Sequence, residues 1–379
     1  MRLHDTRRGA IVPFAAPHTV RVYVCGITPY DSTHLGHAFT YVSFDVLVRY
    51  LEARGHRVRY VRNVTDVDDD ILRKARELGV ASSDLARGEM ARFSADLSAL
   101  GLRAPDVEPW ASAAVPAMRT TIAGLLAGGF AYTLPDGRVY FDTTASGRPP
   151  GSFAGIDRAE ALRQFAEKGG DPEADGKRDA LDFLLWQPSA AGEPRWDSPW
   201  GAGRPGWHIE CSVMAMEELG PVIDIHGGGN DLVFPHHEAE NLQAECLTGQ
   251  APFARVWLHT GMVARDGVKM SKSLGNLVFV DDLLHTHSPA AVRRYLISHH
   301  YRASWSHDPS ALEAAEQAVA HWRAAVTGRG TDPDLAAAFD AALAADLDTP
   351  GALAVLDEAA RSGAGATLRA GAATLGFTL

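Results

Sequence analysis

The sequence predicts an α/β fold, with a parallel sheet flanked by helices, an insertion and a helical C-terminal part. Three observations predict it. Residues 20–25 (Val-Arg-Val-Tyr-Val-Cys) alternate as a strand does and stop at Gly26. From Gly36 to about Arg54, the residues Phe39, Val42, Phe44, Val46, Leu47 and Leu51 fit a helix packed on a sheet, and Gly55 ends it. Residues 56–64 then alternate as a second strand. Strand, helix and strand in this order imply parallel strands joined by a right-handed crossover. Ligands of such sheets gather at the carboxyl ends of the strands, where Cys25–Thr28 and Asn63–Thr65 fall.

The remaining elements follow in order. Residues 70–130 read mostly as helices, with the loop Arg103–Trp110 between them. Residues 131–205 are rich in Gly, Pro and Asp, with one short strand at Arg138–Phe141, and read as an insertion or connecting region. Trp207–Leu219, Val222–His226 and Val256–Met262 return to the core. After about residue 285 the chain becomes helical and Ala-rich. The expected division is therefore a catalytic unit over 1–285, carrying the insertion, and a helical subdomain over 286–379. From Asp308 onward there are four Arg, no Lys and ten Asp or Glu, which makes this tail acidic.

Bulk properties exclude several classes. No run of about 18 apolar residues predicts a membrane span, and the N-terminus lacks the apolar core of a secretion signal. A cytoplasmic monomer is the expectation. The formal net charge of −11 argues against a broad phosphate-backbone footprint, although a local basic groove is compatible with it. Three cysteines, Cys25, Cys211 and Cys246, are too few for a disulfide framework and fit reduced thiols, either buried or bound to metal.

Four groups of residues could carry chemistry. His34-Leu35-Gly36-His37 lies at the first strand-to-helix turn, where free N–H groups and the helix dipole favour phosphate. It fits equally a pair of surface histidines capping a helix. Lys269 and Lys272, in Lys-Met-Ser-Lys-Ser between Gly267 and Gly275, suit a loop closing over a triphosphate. They fit a solvated basic loop as well. Cys25, Cys211 and His236 each adjoin a Gly- or Pro-containing turn and offer the donors zinc prefers, against simple burial of two thiols. Asp224–Asp231 ends a strand in three glycines and an acid, suited to a ribose or to a plain tight turn. Asp66, Asp68, Asp69 and Asp70 resemble a metal cluster, but helix capping explains them more simply.

In order along the chain stand YVCGITPYD (23–31), HLGH (34–37), NVTDVDD (63–69), RPGWHIEC (204–211), HGGGNDLVFPHHE (226–238) and KMSKS (269–273). With these words the chain resembles the class I aminoacyl-tRNA synthetase superfamily, in its cysteine-activating branch. Two families share them: cysteinyl-tRNA synthetases, and the cysteine:glucosaminyl-inositol ligases of mycothiol biosynthesis. Glu167-Lys168-Gly169-Gly170-Asp171-Pro172 is similar to the ligases' ERGGDP signature, with Lys168 for Arg. The opening from Gly26 to Ala38 is also closer to the ligases, and the chain ends early for a full anticodon-binding region. Glu240 points the other way, because it is similar to the synthetases' fourth zinc-site residue.

The resemblance implies a Rossmann-like catalytic domain that forms cysteinyl-adenylate from L-cysteine and ATP, with Mg²⁺. Cysteine then passes to a small amine, with glucosaminyl-inositol favoured and tRNA disfavoured. A truncated tRNA-charging enzyme, or a ligase paralogue with another amine acceptor, is the alternative. It further implies one zinc ion per chain on Cys25, Cys211 and His236, completed by the substrate thiolate. His34, His37, Lys269 and Lys272 would stabilise phosphoryl charge. Cys25, Gly26, Ile27, Thr28, Thr40, Asn63, Val64, Thr65 and Trp207 would surround the cysteinyl-adenylate. Gly229, Asn230 and Asp231 would hold the nucleoside, with Val263 near adenine.

Overall fold

Four strands run parallel through the centre of the computed structural model, which describes residues 1–31, 33–270 and 274–379. They are β1 (Thr19–Ile27), β2 (Arg57–Val64), β3 (Ile223–Gly229) and β4 (Ala254–Thr260), and they lie in the order β4–β3–β1–β2. Val22 pairs with Tyr60 on one side and Ile225 on the other. Helix α1 (Leu35–Ala53) makes the crossover from β1 to β2, as the apolar periodicity of this segment predicts. Two further helices, α2 (Trp207–Leu219) and α3 (Glu238–Thr248), flank the same sheet. All four strands therefore present their carboxyl ends at one edge.

Close approach at that edge depends on two glycines. The β1–β2 pairing breaks between Val24 and Ile27, and here a Cβ on Gly26 would lie 1.6 Å from the Asn63 carbonyl oxygen. On β3, a Cβ on Gly227 would lie 2.1 Å from the ring of Phe44 on α1. The sheet can thus lie directly against the helix that follows it.

The insertion is more regular than its composition suggests. Ala131–Thr133, Val139–Phe141, Phe183–Pro188 and Gly203–Pro205 form a four-stranded antiparallel sheet. Only the second of these was expected. Ala131–Thr133 and Gly203–Pro205 are too short to display an alternating pattern, and Phe183–Pro188 is defined by partners far away in the chain. The aspartates after β2 act as caps, as expected. Asp68 accepts from Asp70 N at 2.8 Å to start the helix Asp69–Leu78, and burial pushes its pKa up to about 6. Asp66 accepts from Ser112 N at 2.9 Å at the start of the helix Ala111–Ala127.

The C-terminal part is helical, with Pro289–Ile297, Pro309–Ala325, Pro333–Ala344, Thr349–Arg361 and Gly365–Thr374. Its acidity has a structural use. Asp308, Asp332 and Asp348 are N-caps, and each is followed by Pro within the first helical turn. Asp340 pairs with Arg54 at 2.7 Å, Asp346 with Arg302 at 2.7 Å and Asp357 with Arg294 at 2.8 Å. Leu343, Leu356 and Leu368 join the same buried cluster as Phe44 and Leu47 of α1.

Arg293 fastens these layers together. It is 1% exposed and donates to Leu375 O at 2.7 Å, to Leu100 O at 3.1 Å and to the Asp45 carboxylate on α1. Replacing it by Leu leaves a buried carboxylate and two carbonyls short of a donor. Arg293→Leu should therefore cost on the order of 3 kcal/mol, read as a lower denaturant midpoint with little change in m-value.

Candidate active site

At the carboxyl edge of the sheet, side chains from four elements converge. Cys25 comes from the break in β1, Cys211 from α2, His236 from the turn 230–237 after β3, and Glu240 from the first turn of α3. Their donor atoms all lie within 4.8 Å of one another, and all four residues are buried. Glu240 Oε1 is 3.4 Å from Cys25 Sγ and 3.2 Å from His236 Nε2. The sequence leaves Glu240 between this cluster and a helix surface; the structure places it inside.

A second ring of imidazoles orients the first. Glu240 Oε2 lies 2.9 Å from His226 Nε2, and His236 Nδ1 lies 3.0 Å from His208 Nδ1. His237 Nε2 is 3.3 Å from Cys25 Sγ, while its Nδ1 is 2.6 Å from His259 Nε2. Cys25, His226 and His237 form a second, overlapping group of possible ligands. Trp207 stacks on His236 with ring centres 4.2 Å apart. His208, His226, His237 and His259 were not singled out from sequence. Two of them adjoin residues that were, Trp207 and His236, but a histidine beside a candidate ligand carries no signal of its own.

Electrostatics favours a cation at this point. Burial pushes the Cys25 thiol well above its ordinary pKa, and neighbouring Cys211 and Glu240 push it further. Burial likewise raises Glu240 well above the carboxylate range. Burial holds His236 well below its ordinary value, and therefore in the neutral form that ligates metals. Cys25 and Glu240, buried together, must either keep their protons or exchange them for a positive ion, while neutral His236 offers a lone pair. This donor set fits a borderline-soft divalent metal.

The other expected site residues share the same edge. Gly26 N donates to Asn63 Oδ1 at 2.8 Å, and Asn63 Nδ2 donates to Thr65 Oγ1 at 3.0 Å. Thr65 N donates to Ile27 O at 3.0 Å, which ties the ends of β1 and β2 together beside Thr28 and Val64. Thr40 on α1 shares a hydrogen bond of 2.8 Å with Thr260 at the end of β4. Gly229 ends β3, and the Asp231 carboxylate folds over it so closely that a Cβ there would lie 2.6 Å from Oδ1. Asn230 is the next residue and is exposed. Val263, 3% exposed, begins a short strand that pairs with Trp305.

His34 and His37 begin α1. His34 Nδ1 accepts from His37 N at 3.3 Å and the two rings stack 3.6 Å apart, so the capping role is real. The same turn meets the start of the KMSKS segment. Met270 Cε lies 4.0 Å from where a Cβ on Gly36 would stand, and Leu35 N donates to Val278 O at 2.8 Å. The two ends of the KMSKS loop therefore rest on the HLGH turn, with Lys269 ending the strand Val268–Lys269. Lys272 lies outside the described residues.

Comparison with known proteins decides between the families that such an edge could belong to. The family described as tRNA synthetases class I (C) catalytic domain matches residues 11–317. The chain belongs to that family. Within it, the chain is 47% identical over 367 residues to the L-cysteine:1D-myo-inositol 2-amino-2-deoxy-alpha-D-glucopyranoside ligase of Kribbella flavida, covering 94% of this chain and 89% of that protein. The ligase of the same description from Thermobispora bispora is 45% identical over 360 residues, with the same coverage. Among solved structures, Mycobacterium tuberculosis methionyl-tRNA synthetase with methionyl-adenylate matches with a TM-score of 0.65 at 15% identity, covering 94% of this chain and 89% of that one. The ternary LeuRS–tRNA–LeuAMS complex of Agrobacterium radiobacter K84 matches with a TM-score of 0.67 at 12% identity, covering 95% and 84%. These likenesses show the class I synthetase fold. Among the described residues, no helix is long and apolar enough to cross a membrane.

The raised thiol pKa would link cation binding at this cluster to proton release. Below that pKa the thiol holds its proton, so an incoming cation must displace it, and affinity falls as pH falls. Titrating metal-free protein with Zn²⁺ in buffers of different ionisation enthalpy should show proton release, with weaker binding at about pH 6 than at about pH 8.

Proposed function

We propose that this chain activates L-cysteine with ATP and joins it to the amine of glucosaminyl-inositol, with zinc selecting the cysteine thiol. The observation that carries the proposal is identity of 45–47% to ligases of that description over at least 94% of the chain. The four-donor cluster at the sheet edge supports a thiol-reading site of the kind such a ligase needs. Three free thiols accord with action in the cytoplasm.

In the first step, a cysteine carboxylate oxygen attacks the α-phosphorus of ATP, and the bond from that phosphorus to the bridging oxygen of pyrophosphate breaks. Magnesium travels with the triphosphate. No protein nucleophile is required, so the protein contributes alignment and charge stabilisation. His34 and His37 stand at the N-terminus of α1, where developing phosphoryl charge meets the helix dipole. Lys269, which ends the strand Val268–Lys269, and Lys272, which the resemblance adds, would supply further positive charge. Gly26, by its close approach to Asn63, lets the main chain come near the adenylate.

Cys25, Cys211 and His236 would hold zinc, with Glu240 as a fourth donor that substrate can replace or join. Zinc when bound supplies a soft position for a thiolate, which serine's harder and less acidic hydroxyl cannot match. His208 and His226 keep His236 and Glu240 aimed at that position. In the second step the acceptor amine, neutral, attacks the carbonyl carbon. The bond to AMP breaks, and the amine's proton passes to solvent.

With cysteine and ATP, glucosaminyl-inositol should stimulate AMP release and tRNA should not; transfer to tRNA with none to the sugar amine would overturn the proposal. Metal analysis should find about one zinc per chain. Cys211→Ala should lose the metal and lower cysteine-dependent ATP–pyrophosphate exchange by on the order of 100-fold. Retention of both zinc and preference over serine in that variant would contradict the zinc assignment.

A further inference from the structure

The helix Arg158–Glu167 of the insertion ends at Lys168, and this side chain reaches across to the turn 230–237 of the core. Its Nζ donates to Asp231 O at 2.7 Å and to Phe234 O at 2.5 Å, with Gln164 Oε1 at 3.3 Å. An ammonium has three protons, and here three oxygens receive them. Lys168 is half-buried, and Lys269 and Asp231 both lie within its electrostatic reach. Lys168 therefore stands against the turn with every donor committed to the protein.

The two main-chain carbonyls need such a donor. Phe234 has φ −134° and ψ 136°, an extended conformation that interrupts helical geometry between residue 232 and α3. Carbonyls before such a break lack the amides that a continuous helix would bring to them. Lys168 supplies the missing donors, and so fixes the path of the chain from Asp231 to Phe234. Glu238 holds the same turn to the insertion from its other end, accepting from Gly151 N at 2.6 Å and Phe153 N at 3.1 Å.

This turn links the two halves of the site. Gly229, Asn230 and Asp231 stand at its start, and His236 near its end. His236 has supports of its own in Glu240, His208 and the stacked Trp207. From the insertion, Lys168 reaches the Asp231 main chain directly.

We propose that Lys168 is a positioning residue for ATP: it fixes the Asp231 end of the turn, and through it the nucleoside side of the site, without touching substrate. The proposal rests on the reading of the chain as an adenylate-forming cysteine ligase. Loss of the tether falls on ATP, because the metal side is held independently.

The test compares native protein, Lys168→Met and Lys168→Arg by cysteine-dependent ATP–pyrophosphate exchange, alongside Tm and bound zinc. Lys168→Met should raise the KM for ATP about tenfold or more, because small misplacements of a binding group are costly. Its KM for cysteine, zinc content and Tm should stay near native, and Lys168→Arg should recover most of the loss. A native KM for ATP in Lys168→Met, or an Arg variant as impaired as the Met variant, would overturn the proposal. So would a parallel fall in Tm and kcat with both KM values unchanged, the pattern of a merely structural residue. If Lys168→Met does not fold, Lys168→Gln carries the same comparison. Absence of exchange in the native protein would instead overturn the underlying reading, which keeps the two failures distinct.

Discussion

The site depends on placing two thiols, an imidazole and a carboxylate in one dry volume. Cys25, Cys211, His236 and Glu240 come from four separate elements, and each is buried where a bare charge is costly. The fold meets this constraint by breaking regularity at each contributor. β1 leaves its ladder at Cys25, the chain after β3 turns irregularly before His236, and α3 begins just in time to aim Glu240 inward. An outer ring of histidines, all held neutral by burial, then fixes which way the inner donors face.

The four-donor cluster and the N-terminus of α1 share one edge because the sheet is parallel. Every carboxyl end then points the same way, and each following turn or helix start can contribute a group. Tyr41 of α1 donates to Cys25 O at 3.1 Å, so the helix that opens with His34 and His37 also braces the cysteine cluster. Under the proposed function, adenylation and side-chain recognition would act on the two ends of one small amino acid. The insertion closes over this edge and grips the turn 230–237 through Lys168 and Glu238.

Much of this was legible in the sequence where the signal is local. The alternation of 20–25 and 56–64 and the apolar stripe of α1 specify a parallel pair, because period and burial are coupled. The Asp66–Asp70 run is explained by capping, and capping is what Asp66 and Asp68 do. Cys25, Cys211 and His236 could be grouped as candidate ligands from their donor types, but their spacing follows no local rule, and without the resemblance the burial of two thiols fits them as well. The antiparallel sheet of 131–205 was not legible beyond its second strand, because its edge strands are three residues long and Phe183–Pro188 finds its partners far away in sequence. Nor could sequence distinguish the acids of the C-terminal helices as caps and ion-pair partners from an acidic solvated face. Glu240 and the outer histidines needed the fold itself, because only tertiary contact says which ring meets which oxygen.

X-ray absorption at the zinc edge, with and without L-cysteine, would read the thiol-binding position itself. The account predicts about two sulfur neighbours near 2.3 Å in the substrate-free protein, and one more when cysteine, but not serine, is added. A sulfur count unchanged by cysteine, or raised equally by serine, would contradict it.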